Sequence, residues 1–193
     1  MAGTKGFDYT EAVRTVCADM VLRIPEFLHV DLEKIGFSFC RTRNREMYGA
    51  FAAVFPLRFE GGKSTLLRNG VLWRIPDVFD RQKKQLLYIL AVYVPRFINL
   101  PLLDKIDTLV HELYHIGPNC DGDIRRFGNR FYAHGASKTE YNKTTARLAR
   151  EWLQRDPPPE IWDFLRYDFA TLAERFGKIV GRKIPVPKIT RES

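Results

Sequence analysis

The spacing of apolar and polar positions predicts a helix followed by strands in the first third of the chain. Across residues 9–24 the apolar side chains recur at three- and four-residue steps, which places them on one face of a helix. Residues 35–42 are rich in phenylalanine and residues 48–59 form a longer apolar run, and both patterns are typical of strands. The polar, arginine-rich residues 41–45 between them predict a hairpin turn.

The middle of the chain predicts a short strand, a central strand and a helix. Asn69-Gly70 precedes a short strand at residues 71–75, and residues 85–94 are apolar enough to predict a strand buried on both faces. Residues 102–116 follow as a helix, which Gly117-Pro118 ends.

The last third predicts helices. Ser137 and Glu140 have the capping-box spacing, in which Ser and Glu satisfy the exposed backbone N–H groups of a helix that continues through Trp152. A proline run at 157–159 breaks it, a short helix follows at 160–167, and residues 169–186 fit either a helix or a final strand. The pattern predicts an α+β fold with a small, mainly antiparallel sheet, an N-terminal helix, a central motif-bearing helix and C-terminal helices.

Composition bounds the class of protein. A chain of 193 residues with 45% hydrophobic residues is predicted to form one domain over residues 1–193, with an ordered core at about 8–187. No stretch approaches the roughly 18 apolar residues of a membrane span, and no secretion signal is visible. Three cysteines at unrelated spacings predict reduced thiols and a cytoplasmic protein.

The formal charge of +8 favours a polyanionic partner such as nucleic acid. Arginines cluster at Arg41, Arg43 and Arg45, and again near Arg125 and Arg126, but no helix-turn-helix, zinc finger or aromatic stacking motif accompanies them. Contact with nucleic acid therefore stays an alternative rather than the leading expectation.

The residues with the clearest chemistry are His111-Glu112-Leu113-Tyr114-His115 in the predicted central helix. Two histidines four residues apart on a helix can hold one zinc ion, and the glutamate after the first is placed to act as general base for a zinc-bound water. On a helical wheel the two histidines lie away from the apolar face formed by Ile106, Leu109, Val110 and Leu113. That position argues against ordinary core histidines.

A catalytic zinc site usually has three protein ligands, so a third must come from elsewhere. His134, after a loop long enough to fold back, is the expected ligand, whereas His29 is expected to pack or cap locally. Asp121 has the spacing of the last ligand in an extended HExxHxxGxxH pattern, but Pro118 stands where that pattern needs glycine. Glu140 already has a capping role, and Cys120 is more typical of a small buried thiol.

Three further residues have candidate roles near the motif. Asp121 and Asp123 are candidates to orient an imidazole or to pair with Arg125 and Arg126, and an Asp-Gly turn explains them equally well. Tyr132 is a candidate hydrogen-bond donor to the oxyanion of a hydrolytic reaction, although an aromatic residue is more often part of the core.

The segment 86–135 resembles the phage-type metallopeptidases, which occur in phages and bacteria. The resemblance rests on Pro95-Arg96-Phe97, the His111 to His115 motif, the run 121–127 and Tyr132-Ala133-His134-Gly135. It extends more weakly to His29 and to residues 56–59. A more distant similarity is to SprT-like proteases, which share a sheet leading into an HExxH helix and a later histidine.

This resemblance implies a zinc metallopeptidase with Zn²⁺ bound by His111, His115 and His134, with Glu112 as general base and a peptide or protein as substrate. Some SprT-like proteases act on proteins attached to DNA, but no DNA-binding appendage is recognisable here, so that role is not carried over. Two alternatives stay open: a nucleic-acid-associated protease or DNA-binding module with a structural metal, and a zinc hydrolase of a non-peptide amide.

Overall fold

The computed structural model describes residues 6–42, 49–127 and 137–192. In these ranges five α-helices are present, and short 3₁₀ turns extend some of them. The helices are α1 (Tyr9–Arg23), α2 (Leu102–Tyr114), α3 (Lys138–Gln154), α4 (Pro159–Trp162) and α5 (Phe169–Phe176). None of the helices in these ranges combines the length and apolar character needed to cross a membrane.

Ten strands form four small sheets in the described part of the chain. They are β1 (Phe7–Asp8), β2 (Ile35–Arg41), β3 (Ala52–Pro56), β4 (Thr65–Arg68), β5 (Val71–Arg74), β6 (Val78–Phe79), β7 (Gln85–Leu86), β8 (Tyr88–Val94), β9 (Ile179–Val180) and β10 (Thr190–Arg191). The main sheet has the order β2-β8-β3, in which β8 runs parallel to β2 and antiparallel to β3. The pairings β4–β5, β5–β10 and β6–β7 are also antiparallel.

The main sheet is covered on one face by helices. Side chains alternate between the two faces of a strand, so Tyr88, Leu90 and Val92 of β8 join the large core beneath α1 and α2. Ile89 of β8 lies on the other face, in a smaller cluster with Leu57, Ile75, Leu86 and Ile184. Helix α1 packs on β2, α2 packs on β3, and α3 packs on the outside of α2.

The structure confirms the α+β class and corrects the predicted order of strands. β2 and β3 do not form the expected hairpin, because β8 lies between them and pairs with both. The turn itself falls largely in residues 43–48, outside the described residues. The run at 85–94 is indeed central, although a break at Leu87 divides it into β7 and β8. Local patterning predicts a strand but not its neighbours, since strand order depends on long-range contacts.

Two regions that the pattern left loose have definite structure. The β4–β5 hairpin turns at Asn69 and Gly70, whose φ angles of 53° and 74° are those of a two-residue turn with both residues in the left-handed region. The strand β4 was not predicted. In the ambiguous stretch at 169–186, α5 comes first and β9 follows, so both alternatives are present in turn.

Candidate metal centre

Helix α2 carries the motif on the side opposite to its core face. Ile106, Leu109, Val110 and Leu113 are completely buried in the main core, as the wheel predicted. On the other side His111, Glu112 and His115 line an open cavity of about 770 Å³. It is lined by residues in and beside β3, by the motif-bearing side of α2, by Ile124 and by the first two turns of α3. Three chemically active side chains therefore meet one space that a substrate can enter.

The two imidazoles are close enough to serve one ion. The ring centroids of His111 and His115 are 4.8 Å apart, and the ring planes are inclined by 76°. Zinc–nitrogen bonds are about 2.0–2.1 Å long, so two rings at this separation fit a shared zinc ion. The carbonyl of His115 accepts a hydrogen bond of 2.6 Å from the backbone N–H of Arg125, which anchors the end of α2. The imidazole nitrogens of His111 and His115 are ligands of the kind that zinc prefers.

Glu112 is held by the backbone of the neighbouring strand. The N–H of Val54 donates a 2.7 Å hydrogen bond to Oε2 of Glu112, and the side chain is almost entirely buried. Burial raises the pKa of Glu112 to about 7, and the hydrogen bond from Val54 opposes that rise only in part. A carboxyl group with a pKa near neutrality can both accept and return a proton at neutral pH, as a general base must.

The strand beside the motif presents an edge to the cavity. In the described part of the chain β3 is the outer strand of the main sheet. Tyr93 N–H donates to the Phe51 carbonyl and Leu57 N–H donates to the Leu87 carbonyl, so the odd-numbered positions face the sheet interior. The backbone groups of Ala52 and Val54 therefore point outward, towards the cavity, because these directions alternate along an antiparallel strand.

Tyr141 of α3 packs against both histidines. Its ring stacks on His115 at a centroid distance of 5.1 Å and meets His111 edge-on at 4.8 Å. The Tyr141 hydroxyl donates a 3.3 Å hydrogen bond to the backbone carbonyl of His111. The rings of Tyr114 and Phe127 also contact the Tyr141 ring, at centroid distances of 5.1 and 5.8 Å. Burial raises the pKa of the Tyr141 phenol, so it stays a donor.

The expected third ligand, His134, and the candidate oxyanion donor, Tyr132, both lie outside the described residues, so their roles remain predictions. In the described ranges no group of three or more His, Cys, Asp or Glu side chains is gathered for a metal ion.

The three competing ligand candidates are each held in other contacts. Oδ1 of Asp121 accepts from the Asp123 N–H at 3.1 Å, and Sγ of Cys120 accepts from the Asp31 N–H at 3.3 Å. Glu140 is exposed and pairs with Lys143 at 2.7 Å. His29 does not line the cavity, and burial lowers its pKa.

Asp123 braces the loop that follows α2. Its carboxylate pairs with Arg126 through two hydrogen bonds of 2.9 Å and accepts a third from the Gly61 N–H at 3.0 Å. Gly122 has a φ of 97°, and a Cβ there would lie 2.5 Å from Cγ of Arg58, so the turn requires glycine. Of the roles considered for this acidic pair, the loop brace and the Asp-Gly turn are both present.

Sequence reasoning missed three contributors to the site: Val54, Asp107 and Tyr141. Asp107 lines the cavity one turn before His111, and burial raises its pKa. Tyr141, Thr145, Leu148 and Trp152 follow helical spacing, which could have predicted that Tyr141 faces α2. Val54 contributes its backbone N–H, so the type of its side chain could not have predicted the contact with Glu112.

Comparison with protein-family models, with curated proteins and with solved structures gives no match to this chain. The resemblance to phage-type metallopeptidases and to SprT-like proteases therefore stays a prediction from the motif residues. What supports a function is the geometry of the cavity.

Proposed function

We propose that this protein is a zinc-dependent metallopeptidase, with His111, His115 and His134 as the zinc ligands and Glu112 as the general base. The observation that carries the proposal is the meeting of His111, Glu112 and His115 in one cavity. A zinc ion bound there would lower the pKa of its water and polarise the substrate carbonyl.

The chain's own contribution to the reaction centres on Glu112. Its carboxylate accepts a proton from the attacking water while the water oxygen bonds to the carbonyl carbon of the peptide. The carbon–nitrogen bond then breaks, and Glu112 returns the proton to the leaving amine. Because Oε2 accepts the hydrogen bond from Val54, we assign Oε1 to this proton transfer.

The edge of β3 favours a peptide over another amide as substrate. An extended peptide can add to an exposed strand edge through main-chain hydrogen bonds. The N–H and carbonyl of Ala52 and the carbonyl of Val54 point outward along the cavity that holds the motif, whereas the Val54 N–H is already bonded to Glu112. This arrangement would bring a peptide bond beside Glu112 without a dedicated side-chain pocket. A small non-peptide amide lacks the repeating main-chain groups that would pair along the strand.

The basic composition offers weaker support for the nucleic-acid alternative. Several arginines in the described ranges are engaged by carboxylates, including Arg14 with Glu33, Arg58 with Asp77 and Arg126 with Asp123. Such pairs reduce the positive field that would attract phosphate groups. The peptidase proposal therefore leads.

The direct test combines zinc content with cleavage. We expect about one zinc per chain in protein purified without chelator, and cleavage of a denatured protein mixture that Glu112→Gln abolishes while retaining the metal. His111→Ala and His134→Ala should each lose zinc. Glu174→Gln, on the exposed side of α5, is the matched control and should cleave like the parent.

Two outcomes would contradict the proposal. Zinc-loaded parent that cleaves no peptide would remove the peptidase assignment and leave a metal site. Full zinc retention in His134→Ala would remove His134 as a ligand.

A further inference from the structure

We infer that Tyr141 is a positioning residue for the metal centre, which holds the two imidazoles of His111 and His115 in the orientation that a shared ion requires. This inference rests on the proposed metal site and extends it to a residue from a different helix. Two imidazoles on a helix can each rotate about two side-chain torsions, so their convergence on one ion costs conformational entropy unless neighbours restrain them.

The contacts of Tyr141 restrain both rings at once. Stacking on His115, with ring planes only 27° apart, blocks rotation of that imidazole towards α3. The edge-on contact with His111, at 65°, closes the same side of the second ring. Aromatic pairs at such distances attract each other beyond the effect of burial. One side chain therefore limits the rotation of both proposed ligands.

Tyr141 is itself fixed from the opposite side. Its hydroxyl is tied to the His111 carbonyl, so the ring and the backbone of the motif move together. Phe127 and Tyr114 each pack edge-on against the Tyr141 ring. Only about 4% of Tyr141 is exposed. The phenol hydroxyl therefore links α3 to the backbone of the motif helix.

The first turn of α3 fixes the position of the Tyr141 ring. The Ser137 hydroxyl caps α3 by accepting from the Glu140 N–H at 3.2 Å, and Tyr141 N–H donates the first helical hydrogen bond to the Ser137 carbonyl at 3.1 Å. From Tyr141 the buried stripe of Thr145, Leu148 and Trp152 runs along α2. Helix α3 is capped at Ser137 and packs on α2, and this arrangement holds Tyr141 against the motif.

The test separates ring contact from general stability. Variants Tyr141→Leu and Tyr141→Phe are compared with Tyr9→Leu, which removes an equally buried ring that contacts Phe39, Phe97 and Phe164 instead of the histidines. Zinc affinity is measured by competition with a chelator. We expect Tyr141→Leu to weaken it by roughly 10-fold or more, Tyr141→Phe to stay within about 5-fold of the parent, and Tyr9→Leu to leave it unchanged.

A second readout is independent of metal. In the metal-free parent, NMR should show nuclear Overhauser contacts between the Tyr141 ring and the His115 imidazole, and ring-current shifts of that imidazole that persist in Tyr141→Phe. Their absence in the parent, or zinc affinity in Tyr141→Leu within about threefold of the parent, would overturn the inference. A parent that binds no zinc but shows these contacts would overturn the proposed metal site and the positioning role that rests on it, whereas a zinc-binding parent with unchanged affinity in Tyr141→Leu would overturn the positioning role alone.

Discussion

At the scale of single residues, Glu112 is a carboxyl group whose pKa of about 7 lies well above its ordinary value of 4.5. It is buried beside the cavity, and its carboxylate receives one hydrogen bond from Val54. A buried carboxylate with so little compensation is expensive to ionise. The site therefore holds a carboxyl group whose ionisation is costly, which is typical of functional sites and fits the proposed role of general base.

We expect Glu112→Gln to stabilise the metal-free protein at pH 8. The pKa of Glu112 is about 7 in the folded chain against an ordinary value of 4.5. Between those values the folded state binds more protons than the unfolded state, so the stability of the parent falls as pH rises through this window. Glutamine keeps an oxygen for Val54 without the charge, and the gain should reach about 1–3 kcal/mol.

The measurement is denaturant unfolding of both proteins in chelator at pH 5 and pH 8. The advantage of Glu112→Gln should be small at pH 5 and fully developed at pH 8. The exposed control Glu174→Gln should show no comparable difference between the two pH values. An equal gain in the free energy of unfolding for Glu112→Gln at pH 5 and pH 8 would contradict a pKa raised by burial.

At the scale of elements, α3 depends on its first turn. Ser137 is the N-cap, and its side chain satisfies a backbone N–H that would otherwise have no helical partner. Removing the hydroxyl should fray the turn that contains Tyr141.

Ser137→Ala is expected to lower the free energy of unfolding by about 1 kcal/mol. Ser137→Asp should preserve it, because aspartate caps a helix as well as serine does. Lys143→Ala, an exposed change inside the same helix, should stay within about 0.5 kcal/mol. Denaturant unfolding measures all three, and equal stability of Ser137→Ala and the parent would show that the cap contributes nothing.

Elements were predictable where they depend on local signals. The bounds of α1, α2 and α3, the Ser137 cap and the buried face of α2 all follow from spacing and capping residues. The insertion of β8 between β2 and β3 was not predictable, because a turn-like polar segment between two strands also suits a hairpin. The helical spacing of α3 places Tyr141 on its buried face, but that local signal does not identify its contact with the motif, 30 residues distant in sequence.

At the scale of the whole molecule, Lys105 joins α2 to the C-terminal part of the chain. Its ammonium donates to the carbonyls of Leu165 and Tyr167 at 2.7 and 2.8 Å, and the side chain is about 1% exposed. The helix that carries the motif is thereby tied on its inner side to the segment that follows α4. Burial lowers the pKa of Lys105 to about 8.

The lowered pKa of Lys105 predicts that its contribution to the free energy of unfolding rises at alkaline pH. From about 8 to the ordinary value of 10.5, the unfolded chain holds a proton that the folded chain has released, so folding becomes more favourable as pH rises. The stability of the parent relative to Lys105→Met should therefore increase between pH 8 and pH 10. Urea unfolding at both values measures it, with the exposed Lys143→Met as control. A difference that does not change with pH would refute the shift.

The hydrogen bond from Val54 to Glu112 has an evolutionary corollary. Because the donor is a main-chain amide, nineteen of the twenty amino acids could supply it at position 54, and only proline lacks the required hydrogen. Selection on this contact would therefore favour no particular amino acid at position 54 and would exclude only proline. The contact between position 54 and the proposed base therefore leaves only one mark on the sequence, which is the exclusion of proline.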